Sequence, residues 1–436
     1  MLIYGRVVRT PQLPQRPFAN DGASRTIATM FRFGDLHPTT RRLLLTRGFR
    51  SVGQGALVVD FALYLHALHW SGTAIGLVLG AATLFGAAMS LLIGIASDRL
   101  RRKPFLLVYQ VLMILASAAV LVSAQPVILV VAAIFGGFGR GASGAAGPFS
   151  PAEQAWLAEE IRADRRGVVY SLNAAIGFFG MALGALIAGG PALWRNWLPG
   201  PLAYRPLFAL VGLAAVAGIL LLARASERPR QAHPARGHQT QPPDSKRRRH
   251  ENRMLMRLAL INAFNGLSIG LTGPLISYWF ALRFGVGPGA IGPVMAAAFA
   301  GTGVVSLLTG KLTQRIGIVA SVVWERLLGL VLLAVLPLMP SYGLAALIYF
   351  LRSAFARGST GAQQALAIGL VGDERRGLAT SLNAASVQLP RSIGPGIAGY
   401  LLSLGEFALP FYVAAGLQGA YLILYNRAFR DFEDVP

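Results

Sequence analysis

The chain has 436 residues, of which 54% are hydrophobic and 13% charged, with a mean hydropathy of +0.54 and a formal charge of +22. A water-soluble domain carries about 25% charged residues, so this supply cannot cover a water-facing surface, and lipid must cover much of it. There is no cysteine, which excludes disulfides, thiolate metal sites, iron–sulfur clusters and cysteine nucleophiles.

Residues 1–29 are polar and contain Arg and Pro, without the apolar stretch of a signal peptide. Met30 reads as the more ordinary start, and residues 1–40 are expected to be a disordered extension. A bilayer core of about 30 Å needs roughly 20 apolar residues at 1.5 Å each. Twelve stretches qualify: 51–70, 73–96, 104–124, 126–150, 168–191, 204–223, 254–281, 287–310, 316–337, 341–364, 377–403 and 407–427. His66 and His69 fall where the first span ends and read as interfacial residues rather than a metal pair. No HExxH pattern occurs, and neither a metal nor a cofactor is expected.

Arg99, Arg101, Arg102, Lys103, Arg162, Arg165, Arg166, Lys311, Arg315, Arg375 and Arg376 all fall in alternate loops, whereas the other loops hold Arg195, Arg205 and Arg283. Basic loops stay inside, so the first set is expected in the cytoplasm, with both termini. The net charge is therefore a topology signal, and no nucleic-acid partner is implied. Residues 224–253, with four prolines and the run Lys246–Arg249, read as a flexible basic linker between six-span halves at 41–223 and 254–436.

The halves repeat. Arg165-Arg166-Gly167 recurs 210 residues later as Arg375-Arg376-Gly377, and Ser171-Leu172-Asn173-Ala174-Ala175 as Ser381-Leu382-Asn383-Ala384-Ala385. Ile187-Ala188-Gly189 recurs as Ile397-Ala398-Gly399. Six spans separate the copies, so both have the same orientation, related by an axis along the membrane normal. The fold class expected is an all-α membrane protein of twelve helices in two pseudo-symmetric six-helix bundles, with a cavity between them.

Gly94-Ile95-Ala96-Ser97-Asp98-Arg99-Leu100-Arg101-Arg102-Lys103 closes span 2. It resembles the G-x-x-x-D-R-x-x-R-[RK] signature of the major facilitator superfamily. The resemblance implies a cytoplasmic gate in which Asp98 meets the start of span 11 near Gly377, and Arg102 meets Glu159 or Glu160 at the end of span 4. The second-half copy, Gly310-Lys311-Leu312-Thr313-Gln314-Arg315, has Gln in place of Asp. Arg140-Gly141-Ala142-Ser143-Gly144-Ala145-Ala146 is similar to the R-x-x-Q-G-x-G pattern of proton-coupled members, with Ser143 in place of Gln. Gly180 and Gly184 in span 5, then Gly394, Pro395 and Gly399 in span 11, look like the glycine-rich span of the antiporters, with Ala185 where that motif has Pro. Close helix packing explains the same glycines.

Charged groups inside a span are functional candidates or internal ion pairs. Asp60 lies about 12 Å deep in span 1 and is the candidate proton site; its alternative is a permanent pair with an arginine. Arg140, Arg357, Arg391 and Asn265 are candidates for proton or substrate contact. Arg352, Glu153 and the Glu325–Arg326 pair join the intramembrane set, the last read as packing. Tyr278, Trp279 and Phe280 either line the cavity or face lipid.

The expected function is secondary transport by alternating access, not enzymatic catalysis. The first reading is proton-coupled efflux of an amphipathic compound or metabolite; the second is uptake of an anionic metabolite through Arg140, Arg357 and Arg391. A non-transporting receptor is the third, weakened because 224–253 is too short for an output domain. The expected partners are a small-molecule substrate, a proton or other ion, and the cell-membrane bilayer, around a monomer.

Overall fold

A computed structural model describes residues 36–97, 100–140, 147–161, 166–227, 245–316, 318–356 and 376–429. Its helices fall on the twelve expected segments. Span 1 is Pro38–Ala67, span 2 Gly72–Ser97, span 3 Arg102–Val122, span 5 Arg166–Ile187 and span 6 Arg205–Ala223. Span 8 is Pro288–Ile316, span 9 Ile318–Val335, span 10 starts at Tyr342, span 11 is Arg376–Ser403 and span 12 Leu409–Phe429. Six of the described helices are by length and composition long and apolar enough to cross a bilayer. Their outer faces carry exposed leucine, isoleucine and valine, for example Leu77, Ile95 and Leu115, as a lipid-facing surface requires.

Two spans are interrupted. Span 4, expected to be continuous over 126–150, stops at Gly136 and resumes at Ser150–Glu160. The reason is local: Gly137 and Gly139 adopt φ of 70° and 72°, and Gly147 one of 83°, conformations that only glycine adopts at no steric cost. Arg140 therefore sits in the break rather than on a helix. Span 7 runs from Ser245 to Thr272, breaks around Gly273 and Pro274, and continues as Ile276–Phe284.

Other boundaries differ from the expected ones. Span 1 begins at Pro38 rather than 51, because Thr39, Thr40, Arg47, Arg50 and Ser51 are all buried against neighbouring spans. Span 7 begins within the basic stretch, at Ser245. Its helix is polar for its first two turns and becomes apolar where it packs on spans 11 and 12.

The packing repeats with the sequence. Span 1 packs on spans 5 and 6, and span 7 on spans 11 and 12; span 3 packs on 6, and span 9 on 12. Between the halves, span 2 packs on span 11 and span 8 on span 5. Gly184 fits against the span 1 backbone at Val52–Ala56, and Gly394, 210 residues later, against the span 7 backbone at Gly270–Leu271. Each is a point where a side chain would hold two helices apart. Tyr278, Trp279 and Phe280 are all buried: Trp279 and Phe280 pack among Phe284, Tyr342, Tyr349 and Phe411, and Tyr278 packs on His66 of the first half.

Candidate functional site

The break in span 4 places Arg140 at the centre of the fold. Its Nη1 donates to the Ala82 carbonyl of span 2 at 3.0 Å, and its own carbonyl accepts from Gln54 Nε2 of span 1 at 3.4 Å. Gly86 and Gly137 lie flat against the guanidinium, where a Cβ on either would collide with it. Arg140 Nη2 is buried without a hydrogen-bond partner among the described residues. Among the described residues, a guanidinium so placed is oriented but meets no acid.

Two small cavities meet at this residue. One, of about 20 Å³, lies inside the first half among Arg50, Gln54, Tyr109, Met113 and Arg140. The other, of about 50 Å³, lies between the halves, and its polar lining is Gln54, Thr83, Ser90, Arg140, Gln388 and Arg391. A single water needs roughly 10–15 Å³, so the second volume holds a few waters or a small polar group. Among its described lining residues are two arginines, and neither a carboxylate nor an aromatic ring.

Arg391 reaches this cavity from span 11, where its backbone carbonyl lies against Gly270 of span 7. Pro390 and Pro395 interrupt the hydrogen-bond ladder of that helix on either side. Asn265 is not at the cavity: its Oδ1 accepts from Arg326 Nη1 at 2.5 Å, and the Arg326 guanidinium lies 5.6 Å from the Tyr421 ring centroid. That cluster joins spans 7, 9 and 12 within the second half. Arg357 lies outside the described residues, as do Asp98 and Arg99.

Asp60 is 1% exposed, and neither carboxylate oxygen has a hydrogen-bond partner among the described residues. It lies seven residues, or two turns, beyond Gly53 on the same face, and Gly53 packs on Val211 of span 6. One turn further, Tyr64 contacts Tyr204 and Phe208. Asp60 therefore faces span 6 and an aromatic cluster. The structure does not bring it to Arg140, and no ion pair joins the two.

The first half does contain a buried ion pair, elsewhere. Arg50 of span 1 pairs with Glu153 of span 4, both side chains 4% exposed. The Arg50 guanidinium also lies 5.8 Å from the Tyr109 ring centroid, and Tyr109 stacks on Phe149 at 4.8 Å. Arg50 was missed in the sequence because the apolar text starts at residue 51. The spacing Arg47–Arg50, three apart on a helix that carries Gly48, Ser51 and Gly55, was the available signal.

At the basic end, Arg102 Nη1 lies 2.5 Å from Glu159 Oε2 and donates to the Ala155 carbonyl at 3.1 Å. Gly94 lies against Pro151 of span 4, with room for a Cβ at 3.8 Å. The ion pair of Arg102 is with Glu159, and Glu160 makes a separate interaction.

At the opposite end the halves touch backbone to backbone. Gly76 of span 2 meets the Pro395 carbonyl and Gly399 Cα of span 11, and Gly292 of span 8 meets the Ala185 carbonyl and Gly189 of span 5. The two contacts are copies: Pro395 and Gly399 stand 210 residues after Ala185 and Gly189. Gly72 and Gly80 extend the first contact to Gly399 and Ser392, and Gly289 extends the second to Ala192. His66 lies edge-on to Tyr278 at 5.2 Å across the same boundary. Gly180, by contrast, packs within the first half, on Gly48 and Ser51.

Two six-helix halves repeated in sequence, closed on each other at one end around a polar cavity, are the arrangement of one transporter superfamily. The family description of the Major Facilitator Superfamily matches residues 43–257 and 258–431. The chain belongs to the Major Facilitator Superfamily. Its members are secondary transporters rather than enzymes, and they move small molecules by alternating access. The fold is accordingly an all-α membrane fold of two six-helix bundles.

Solved superfamily structures are similar over nearly the whole chain. A bacterial homolog of the human lysosomal transporter Spinster, in an inward-facing and unoccupied conformation, aligns with a TM-score of 0.69 at 16% identity, covering 91% of this chain and 97% of that one. The nucleoside transporter NupG aligns at 0.68 and 11% identity, covering 90% and 99%. A D-xylose–proton symporter aligns at 0.67 and 16% identity, covering 88% and 96%. At these identities the likeness concerns the fold alone. No curated protein sequence matches the chain.

Proposed function

We propose that this protein is a proton-coupled transporter of a small anionic metabolite, with Arg140 and Arg391 as the substrate-binding cations. The observation that carries this reading is the cavity between the halves: two arginines on opposite halves, Arg391 buried and Arg140 half-buried, with amide and hydroxyl neighbours and no acid in the described lining. Guanidinium groups match carboxylate and phosphate by bidentate bonding. Because one comes from span 4 and the other from span 11, an anion between them joins the two halves, and its release lets them separate. A broken helix beside such a site is a recurring device in transporters.

An amphipathic aromatic cargo suits this site less well, since the described lining offers no ring to stack on. The glycine-rich spans 5 and 11, read as an antiporter feature, support export of the metabolite in exchange for protons. Asp60 is the proposed proton site, because a proton is the partner that neutralises an isolated buried carboxyl group. It then acts through span 6 rather than by direct contact with Arg140. In this reading the basic end is cytoplasmic, with both termini, and the glycine contacts close the opposite, outer end. The bundles 41–223 and 254–436 rock about the cavity, joined by 224–253, in a monomer of the cell membrane.

The test is ligand-induced stabilisation of the purified protein, since a ligand that binds the folded state raises its stability by mass action. Dicarboxylates and phosphate esters are expected to raise the unfolding temperature of the native protein and to lose that effect in Arg391→Gln. Stabilisation by lipophilic cations and not by anions would overturn the assignment.

A further inference from the structure

The guanidinium of Arg140 borders both cavities, and its two ends meet different walls. Nη1, which donates to the Ala82 carbonyl, lies against Gly86 of the larger cavity. Nη2 lies against Gly137, which lines the smaller cavity and not the larger. Nη2 is also the nitrogen buried with no hydrogen-bond partner among the described residues. The smaller cavity therefore sits at the unanswered end of a cation.

The rest of its wall is rich in donors. Its polar side chains are those of Arg50, Gln54, Tyr109 and Arg140, and all four can donate. Arg50 pairs with Glu153 through Nη2, but its Nε is buried without a hydrogen-bond partner among the described residues. The Tyr109 ring is fixed between the Arg50 guanidinium, 5.8 Å from its centroid, and Phe149, stacked at 4.8 Å. Its hydroxyl reaches across the break in span 4 to Gly147, where a Cβ would lie 2.9 Å from it. Gly137 and Gly139, both left-handed, border the same space. Turns of this kind present consecutive backbone N–H groups on one side and form anion-binding concavities.

Charge and size narrow the occupant. Arg47, one turn before Arg50 and likewise buried, adds another guanidinium to this interior. Glu153 is already bound to Arg50, and Asp60 faces span 6. A buried charge is costly unless it is paired. At about 20 Å³ the cavity has room for one particle of roughly the size of a water, which excludes a molecule bearing a carboxylate or phosphate. Water in that space has two protons of its own to place against a wall of donors. A monatomic anion has none.

We propose that the smaller cavity is a halide site, in which a chloride ion bridges the guanidinium groups of Arg140 and Arg50 and takes the Tyr109 hydroxyl as a third donor. The ion ties spans 1 and 3 to the break in span 4 and neutralises charge inside the first half. The site is distinct from the proposed substrate site, because Arg391 does not line it.

The test is halide-dependent stability of the full-length purified protein. Exchange of sodium methanesulfonate for sodium chloride at constant ionic strength is expected to raise the unfolding temperature saturably, by on the order of 2–4 °C. Sodium bromide is expected to do the same, and in a crystal to give an anomalous peak between Arg50 and Arg140. Tyr109→Phe keeps the ring contacts with Arg50 and Phe149 and removes the hydroxyl. Its apparent chloride affinity is expected to fall on the order of tenfold, with the unfolding temperature in methanesulfonate unchanged. Arg391→Gln alters the larger cavity alone and is expected to retain the chloride effect. Equal stability in chloride and methanesulfonate would show that the cavity holds water, and would overturn the proposal. A chloride effect lost in Arg391→Gln would place the ion in the larger cavity and overturn it too, as would one that Tyr109→Phe leaves untouched.

Discussion

Replacing Gly76 by Ala tests whether the glycine contacts define one conformational state. A Cβ on Gly76 would collide with the Pro395 carbonyl and lie 3.2 Å from Gly399 Cα. Both are backbone groups, so no side chain can turn aside, and spans 2 and 11 must separate. Overpacking of this kind costs about 1–3 kcal/mol. Because span 2 meets span 11 across the boundary between the halves, the cost falls on the state closed at that end and not on its alternative. A differential of that size is a shift of about 5- to 150-fold in the equilibrium. Gly184→Ala is the control. Its Cβ would collide with Val52 and Ala56, but within the first half, so it burdens both states alike. Maleimide labelling at Gly189→Cys is expected to accelerate in Gly76→Ala and to stay near the parent rate in Gly184→Ala, whose unfolding temperature falls instead. Equal acceleration in both would refute the reasoning, because the glycines would then set overall looseness and not a state.

Truncating one partner of the Arg50–Glu153 pair, as in Glu153→Ala, is expected to cost about 3–5 kcal/mol, whereas Arg50→Met with Glu153→Leu costs much less, since it leaves no charge buried alone; thermal unfolding in detergent measures both. Asn262→Ala removes hydrogen bonds at 2.8 Å to Asn383 and 3.1 Å to Ser386 and is expected to lower stability by about 1–3 kcal/mol, with substrate affinity unchanged in a binding titration. Arg140→Lys keeps the charge but loses the planar fork that reaches Ala82, so anion affinity is expected to drop on the order of tenfold or more, read as a loss of anion-induced stabilisation. Lengthening the linker by several glycine–serine pairs after residue 237 is expected to leave transport in proteoliposomes near the parent rate, since flexible polar links tolerate insertion.

Much of the architecture is a property of the chain alone. Span count, the two-half repeat and the basic loops follow from a rule with few exceptions: lipid demands about 20 apolar residues per helix, with all backbone groups bonded internally. Gly184 and Gly394 were visible as a repeated pair for the same reason, since small residues mark where helices approach. Tertiary structure decided what local pattern does not encode. Hydropathy cannot show that Gly137 and Gly139 turn left-handed and end a helix inside an apolar stretch, because an apolar glycine run reads the same whether helical or broken. It cannot show which way Asp60 points, since helix rotation is fixed by the fit of Gly53 on Val211. Nor can it show that Glu227 caps a helix 125 residues earlier, or that Arg140 and Arg391 face one cavity. Those relations join residues far apart in sequence, and they exist only once the twelve helices have packed.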